Sequence, residues 1–172
     1  MGVGIFRQLS ELLRRDCTSS GTGAEQQKAE LLRQQSVRFD TALNNMAQGL
    51  VMFDDAEGVV LFNRRYLELS GLPAEFLQPG RTLREILQVR QAQGSFSTDI
   101  EQYRRDLRAA IAKGETNRLL METDDGRFHQ VVNVPMAGGG WVATHEDITE
   151  QVTAKRVIET QKLHLDAALA NM

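Results

Sequence analysis

The sequence predicts an α+β domain built on one mostly antiparallel sheet and bracketed by long helices. Three observations carry that prediction. Candidate strands cluster near both ends of the central region with helical segments between them, and do not alternate as βαβ units. Turn signals (Gly, Pro, Asp-Gly) crowd between residues 49 and 147. The stretches on either side carry apolar residues at three- and four-residue steps, the period of a helix face. The region 43–149 supplies the roughly one hundred residues that a self-sufficient core requires.

Each element has its own signal. Val3 to about Arg15 places Ile5, Phe6, Leu9, Leu12 and Leu13 on one face, an amphipathic helix that the small polar run Cys17 to Gly23 ends. With few charges, this helix is expected to pack on the domain or on a partner, not on a membrane. Ala24 to about Met46 is rich in Gln, Glu, Leu and Arg and forms a second helix, which Gly49 ends. Leu50 to Asp54 and Val59 to Asn63 form a hairpin about the turn Asp55-Ala-Glu-Gly58, with Gly58 expected to supply a positive φ. Asn63 caps a short helix over Arg64–Leu69, and Thr82 with Glu85 makes a capping box that opens a helix to about Arg90. Thr98 to Lys113 follows, with Ile100, Tyr103, Leu107, Ala110 and Ile111 on its apolar face and Gly114 as its stop. Three strands come next: Asn117–Thr123, Arg127–Pro135 across the hairpin signal Asp124-Asp125-Gly126, and Trp141–Glu146 after the flexible turn Gly138-Gly139-Gly140. Asp147, with Glu150 at capping-box spacing, opens the last helix.

Charge and composition exclude several functions. Twenty basic against twenty-three acidic side chains give a net charge of −3, so no bulk positive field exists to hold nucleic acid. No run of eighteen apolar residues is present to span a membrane. The start, Met1 to Phe6, has no basic leader before an apolar core, and the lone Cys17 suits a reducing compartment; a cytoplasmic protein is expected. The His residues are scattered, and adjacent strand residues such as His145 and Glu146 point to opposite faces, so no metal site is expected. No G-x-S-x-G nucleophile elbow or phosphate-binding loop occurs.

Phe39-Asp-Thr-Ala-Leu-Asn-Asn-Met46 recurs as Leu165-Asp-Ala-Ala-Leu-Ala-Asn-Met172, with five of eight positions identical. Such a repeat implies that a second copy of the domain begins near Met172 in a longer protein.

Leu43-Asn-Asn-Met-Ala-Gln-Gly-Leu-Val-Met-Phe-Asp54 with Val60-Leu-Phe-Asn-Arg-Arg-Tyr66 resembles the opening of a PAS domain, and Trp141-Val-Ala-Thr-His-Glu-Asp-Ile-Thr-Glu150 resembles its close. Gly71-Leu-Pro73 and Pro79-Gly-Arg-Thr-Leu83 match the type common in bacterial signalling proteins, and the resemblance spans roughly 38–150. It implies a five-stranded antiparallel sheet with helices over one face, used for sensing or dimerisation ahead of a histidine kinase or diguanylate cyclase output domain. The chain then divides into an N-terminal amphipathic helix and linker (1–23), a coiled-coil-like helix (24–46), a PAS-like domain (47–147) and a closing helix (148–172) that runs into a second copy. Members that bond a flavin need a Cys in a core helix, and Cys17 lies outside the core, so covalent flavin is excluded. Haem-binding members place a His on the long core helix; none lies in 98–113, which argues against haem. Any other cofactor is left unassigned.

A cavity under the sheet would take a small-molecule ligand, and its candidate lining is His129 and Asn133, which share one strand face, with Tyr66 and Met52. The alternative for His129 is a solvent-facing strand residue. Trp141 is read as core packing, and Arg64, Arg65, Arg104, Arg105 and Arg108 as solvated helix residues. Asp147, Ile148 and Thr149 are the candidate signal relay, since a carboxylate at the head of the last helix fixes the angle at which it leaves. Phe39, Ala42 and Met46, with Ile158, Leu165 and Met172, form seams through which two copies of the chain would pair. The expected function is a non-catalytic sensory and dimerising module that signals to an output domain. The alternatives are a ligand-free protein-interaction adaptor, and a small enzyme using His129 or His145 as a base.

Overall fold

A computed structural model describes residues 23–123 and 125–170. The amphipathic segment Val3–Arg15, the linker around Cys17, Asp124 and Met172 lie outside the described residues, as does the side chain of Leu165.

The order of elements is α1 (Gly23–Asn44), β1 (Gly49–Phe53), β2 (Val59–Phe62), α2 (Arg64–Ser70), α3 (Leu83–Ala92), α4 (Ile100–Ala112), β3 (Asn117–Glu122), β4 (Phe128–Pro135), β5 (Trp141–Asp147) and α5 (Thr149–Ala170). The strands form one sheet in the order β2-β1-β5-β4-β3, and every neighbouring pair is antiparallel. The first and last strands of the domain thus lie side by side at its centre, which brings the ends of α1 and α5 close to one sheet.

Residue alternation sets the two faces. Val51 and Phe53 on β1, Val131 on β4, and Trp141 and Ala143 on β5 are buried, and helices α2, α3 and α4 contribute Tyr66, Leu83, Ile86, Leu87 and Leu107 from above. Trp141 is core packing, as expected, and stacks on Phe53 at 4.8 Å between ring centroids. Each such large side chain contributes roughly 1.5–3 kcal/mol by leaving water.

The local signals hold where side chains make them. Asn63 caps α2, the Thr82–Glu85 capping box is complete, and Asp99 caps α4. Four expectations need correction. Gly49 is the first residue of β1 and not a helix stop; a Cβ there would stand 2.8 Å from the Tyr66 Cα, so glycine lets α2 lie directly on the strand. The positive φ in the first hairpin belongs to Glu57 (φ 66), not Gly58. Asp54 shapes that turn by accepting the Ala56 and Gly58 N–H groups, while the buried Glu57 carboxylate pairs with Arg104 at 2.7 Å and Arg108 at 3.4 Å. Arg104 and Arg108 are therefore braces from α4 to the hairpin and not merely solvated. Finally, Gly140 is more than a flexible turn: at φ 71, an added Cβ would meet the Phe53 carbonyl oxygen at 2.1 Å, so only glycine lets β5 start beside the end of β1.

Candidate functional site

Helix α3 presents Leu83, Ile86, Leu87 and Arg90 on its inner face. The first three are ordinary core residues; the fourth is a guanidinium carried into the core and only 3% exposed. Together with Tyr66 of α2, Tyr103 of α4, Asn133 of β4 and His145 of β5 it lines a small chamber of about 20 Å³. A space of that size holds one or two waters.

The charge in this chamber is one-sided. Arg90 Nη2 donates to the Ser95 carbonyl at 3.1 Å, and its buried Nε has no partner. Among the described residues no Asp or Glu forms an ion pair with Arg90, and none lines the chamber. Burial, the Arg90 charge and His129 together hold His145 well below the ordinary histidine range, so it is neutral at pH 7. The His145 ring meets Tyr66 edge-on at 4.9 Å. Burial pushes the Tyr66 hydroxyl up to about 12 and raises Tyr103 in the same direction. Asn133 donates from Nδ2 to Asn117 Oδ1 at 3.3 Å.

Of the residues expected from the sequence, Tyr66 and Asn133 meet in this chamber. His129 is on the same sheet face and is 1% exposed, which overturns its alternative as a solvent-facing residue. It borders instead a neighbouring open cleft of about 300 Å³, between Ser70–Gly71, Gly94–Ser95 and the β3–β4 hairpin residues Thr123, Asp125 and Arg127. Its buried Nε2 has no partner, and burial lowers its pKa against the opposing pull of Asp147. Met52 alternates to the opposite face from Val51 and Phe53 and does not reach the chamber. Sequence reasoning missed Arg90, His145 and Tyr103 as chamber residues. The signals were present: Arg90 follows Ile86 and Leu87 at helical spacing, and His145 shares the parity of Trp141 and Ala143.

The head of α5 is tied to the floor of the site. His129 stands opposite Asp147 in the β4–β5 register. Asp147 Oδ1 accepts the Thr149 N–H at 3.0 Å and the Thr149 hydroxyl at 2.5 Å, so the cap runs to Thr149 and not through the expected box with Glu150. Thr149 Oγ1 in turn accepts the Phe128 N–H at 2.9 Å, and the Ile148 N–H donates to the Phe128 carbonyl at 2.8 Å. Arg156, two turns along α5, lies over the Phe128 ring at 4.7 Å. Among the described residues no group of three or more His, Cys, Asp and Glu side chains is placed to hold a metal ion.

Beyond the domain, Phe39 (71%), Ala42 and Met46 of the N-terminal segment are exposed, as are Val157, Ile158 (65%) and Leu163 on α5. Among the described residues no helix is long and apolar enough to cross a membrane.

A family model described as the PAS fold matches residues 43–156. Among solved structures, the PAS domain of BvgS from Bordetella pertussis is similar at a TM-score of 0.52 and 16% identity, covering 76% of this chain and 98% of that one. An RNA-binding light-oxygen-voltage receptor is similar at 0.51 and 23% identity, covering 86% of this chain and 40% of that one. The PAS domain of a protein from Colwellia psychrerythraea aligns at 0.47 and 20% identity, over 70% of this chain and 98% of its own. No curated protein matches.

Proposed function

The chain belongs to the PAS fold family, and on that premise we propose that it is a non-catalytic sensory module, whose core chamber responds to a small molecule and whose flanking helices pair with a second copy and pass the response to an output domain. The observation that supports this reading best is the chain of hydrogen bonds from Phe128 through Thr149 to Asp147. Strand β4 carries Asn133 in the chamber and His129 beside it, and its first residue holds the head of α5. A shift of β4 must therefore move the helix.

Pairing is supported by apolar side chains that a lone copy leaves in water. Leu31, Leu32, Val37 and Phe39 on α1 and Val157, Ile158 and Leu163 on α5 are all exposed. The setting would be a cytoplasmic signalling protein with a histidine kinase or diguanylate cyclase as its output. Sedimentation of the 172-residue chain tests the pairing. A dimer at tens of micromolar that Phe39→Lys with Ile158→Lys turns into a monomer is expected; a monomeric parent would remove the relay between copies.

A ligand-free adaptor is the second reading, and the small volume of the chamber favours it. Mass spectrometry of gently denatured protein separates the two. A copurified small molecule fits the sensor, and an empty chamber in every preparation fits the adaptor.

A further inference from the structure

Arg90 is the feature of this core that folding alone does not explain. A guanidinium removed from water loses several kcal/mol of hydration, and proteins offset that loss with a carboxylate or with a full set of acceptors. Here Arg90 Nη2 donates to the Ser95 carbonyl, the buried Nε has no partner, and among the described residues no acidic side chain pairs with Arg90. The remaining titratable groups of the chamber add no negative charge. His145 is neutral, and Tyr66 and Tyr103 keep their protons. The chamber thus holds one uncompensated positive charge in an aromatic and amide surround, at a helix position where Leu or Met would pack.

We propose that this chamber is a binding site for one small carboxylate anion, of formate or acetate size, with the Arg90 guanidinium as its anchor and Asn133 as a neighbouring amide. A planar carboxylate matches the fork of an arginine and would supply the acceptors its Nε lacks. The size follows from the small volume of about 20 Å³, room for one or two waters, which a three- or four-atom anion would replace. The proposal rests on the sensory reading of this same chamber and names the class of its ligand.

The test is a titration of the ¹⁵N-labelled 172-residue protein, reading the Arg90 Nε–H signal and the Thr149 amide. Sodium formate and sodium acetate are compared with acetamide, the neutral equivalent of acetate, and with sodium sulfate at equal ionic strength. A saturable shift of the Arg90 signal with formate or acetate, at least tenfold weaker with acetamide, is expected, and the accompanying shift of the Asn133 side-chain amide, which lines the same chamber, should vanish in Arg90→Met. No saturable shift with either carboxylate, or an equal response to acetamide, overturns the site. Should Arg90→Met fail to fold, the contrast between acetate and acetamide in the parent protein decides alone. The Thr149 amide separates this proposal from the one beneath it. A carboxylate response at Arg90 with Thr149 unmoved keeps the site and sinks the relay, whereas a Thr149 response only to neutral compounds keeps the relay and sinks the site.

Discussion

The two joints by which the chain enters and leaves the sheet are built from opposite materials. At the N-terminal joint a single neutral side chain does the binding. Asn63, fully buried, accepts the Leu50 N–H at 2.8 Å and the Tyr66 N–H at 2.9 Å, and donates to the Leu43 and Gln48 carbonyls at 2.9 Å each. At the C-terminal joint the same task falls to a half-buried carboxylate and a hydroxyl, Asp147 and Thr149, reaching across to Phe128. Gln48 spans the two by donating to Glu146 at 2.8 Å. A buried amide with all four hydrogen bonds made has no alternative state near neutral pH, because every lost partner leaves an unsatisfied group in the core. A carboxylate near the surface has one, its protonated form, and its helix can swing toward water. The first joint is a fixed anchor, and the second is the looser of the two, the one through which the proposed relay would run.

Breaking the anchor should have the largest effect. Asn63→Ala removes the cap of α2 and leaves the Leu50 N–H and two carbonyls unpaired in a dry site, so a loss of about 3 kcal/mol is expected in urea unfolding. A loss under 1 kcal/mol would mean that the two joints are held equally loosely. Thr149→Val keeps the shape of the other joint while removing its bridge to Phe128. The expected loss is roughly 1.5 kcal/mol, with faster amide hydrogen exchange confined to the first turns of α5. Exchange that quickens across the whole sheet would show that the C-terminal joint is an anchor too.

How far these features could be read in the sequence depends on whether the signal is local. Asn63, the Thr82–Glu85 box and the Gly126 turn announce themselves because a cap or turn is decided within four residues. That the sheet has five antiparallel strands with helices over one face came through the resemblance of the opening and closing motifs, whereas the order of those strands was not read from the sequence. The positive φ at Glu57 was invisible because Arg104 and Arg108, which hold its carboxylate, lie some fifty residues away. Arg90 was legible in position, on the apolar face of its helix, but not in meaning. Whether an arginine there finds a carboxylate is settled by strands that the helix meets only after folding. His145 followed the parity of Trp141, yet its neutrality arises from burial, and then from Arg90 and His129, neither of which is adjacent to it in the chain.

Acid should separate the chamber from the C-terminal joint. The unfolded chain protonates His145 near the ordinary histidine value of about 6.5, while the folded chain resists protonation to well below it. Between those limits the unfolded state binds more protons, so stability must fall as the pH drops below about 6.5. Roughly 1 kcal/mol should be lost to His145 between pH 7.5 and 5.5, and His145→Gln should remove that share, leaving the smaller decline due to His129, whose pKa burial also lowers. A parent curve that is flat over this range would place His145 in contact with solvent or with an acidic partner, and the contrast between a closed core and a mobile joint would blur.

Asp147 should show the smallest effect and the one most specific to its joint. Hydrogen bonds from the Thr149 hydroxyl and N–H hold its carboxyl below the usual aspartate range. Its contribution is therefore complete above the unfolded value of about 3.9 and is lost as the pH falls through the lower folded value. Asp147→Asn preserves an acceptor oxygen for Thr149 and removes only the charge at the helix head. A loss of about 0.5 kcal/mol at pH 7 is expected, diminishing below about pH 4 as the unfolded chain takes up its proton and gone once the pH has passed below the folded parent's own lower value. The decline near pH 6 should remain, because it belongs chiefly to His145, two residues back on the same strand. If the substitution instead abolished the decline near pH 6, the coupling between Asp147 and His129 in the β4–β5 register would dominate both transitions. Chamber and joint would then titrate as one unit, and protonation alone would move the helix.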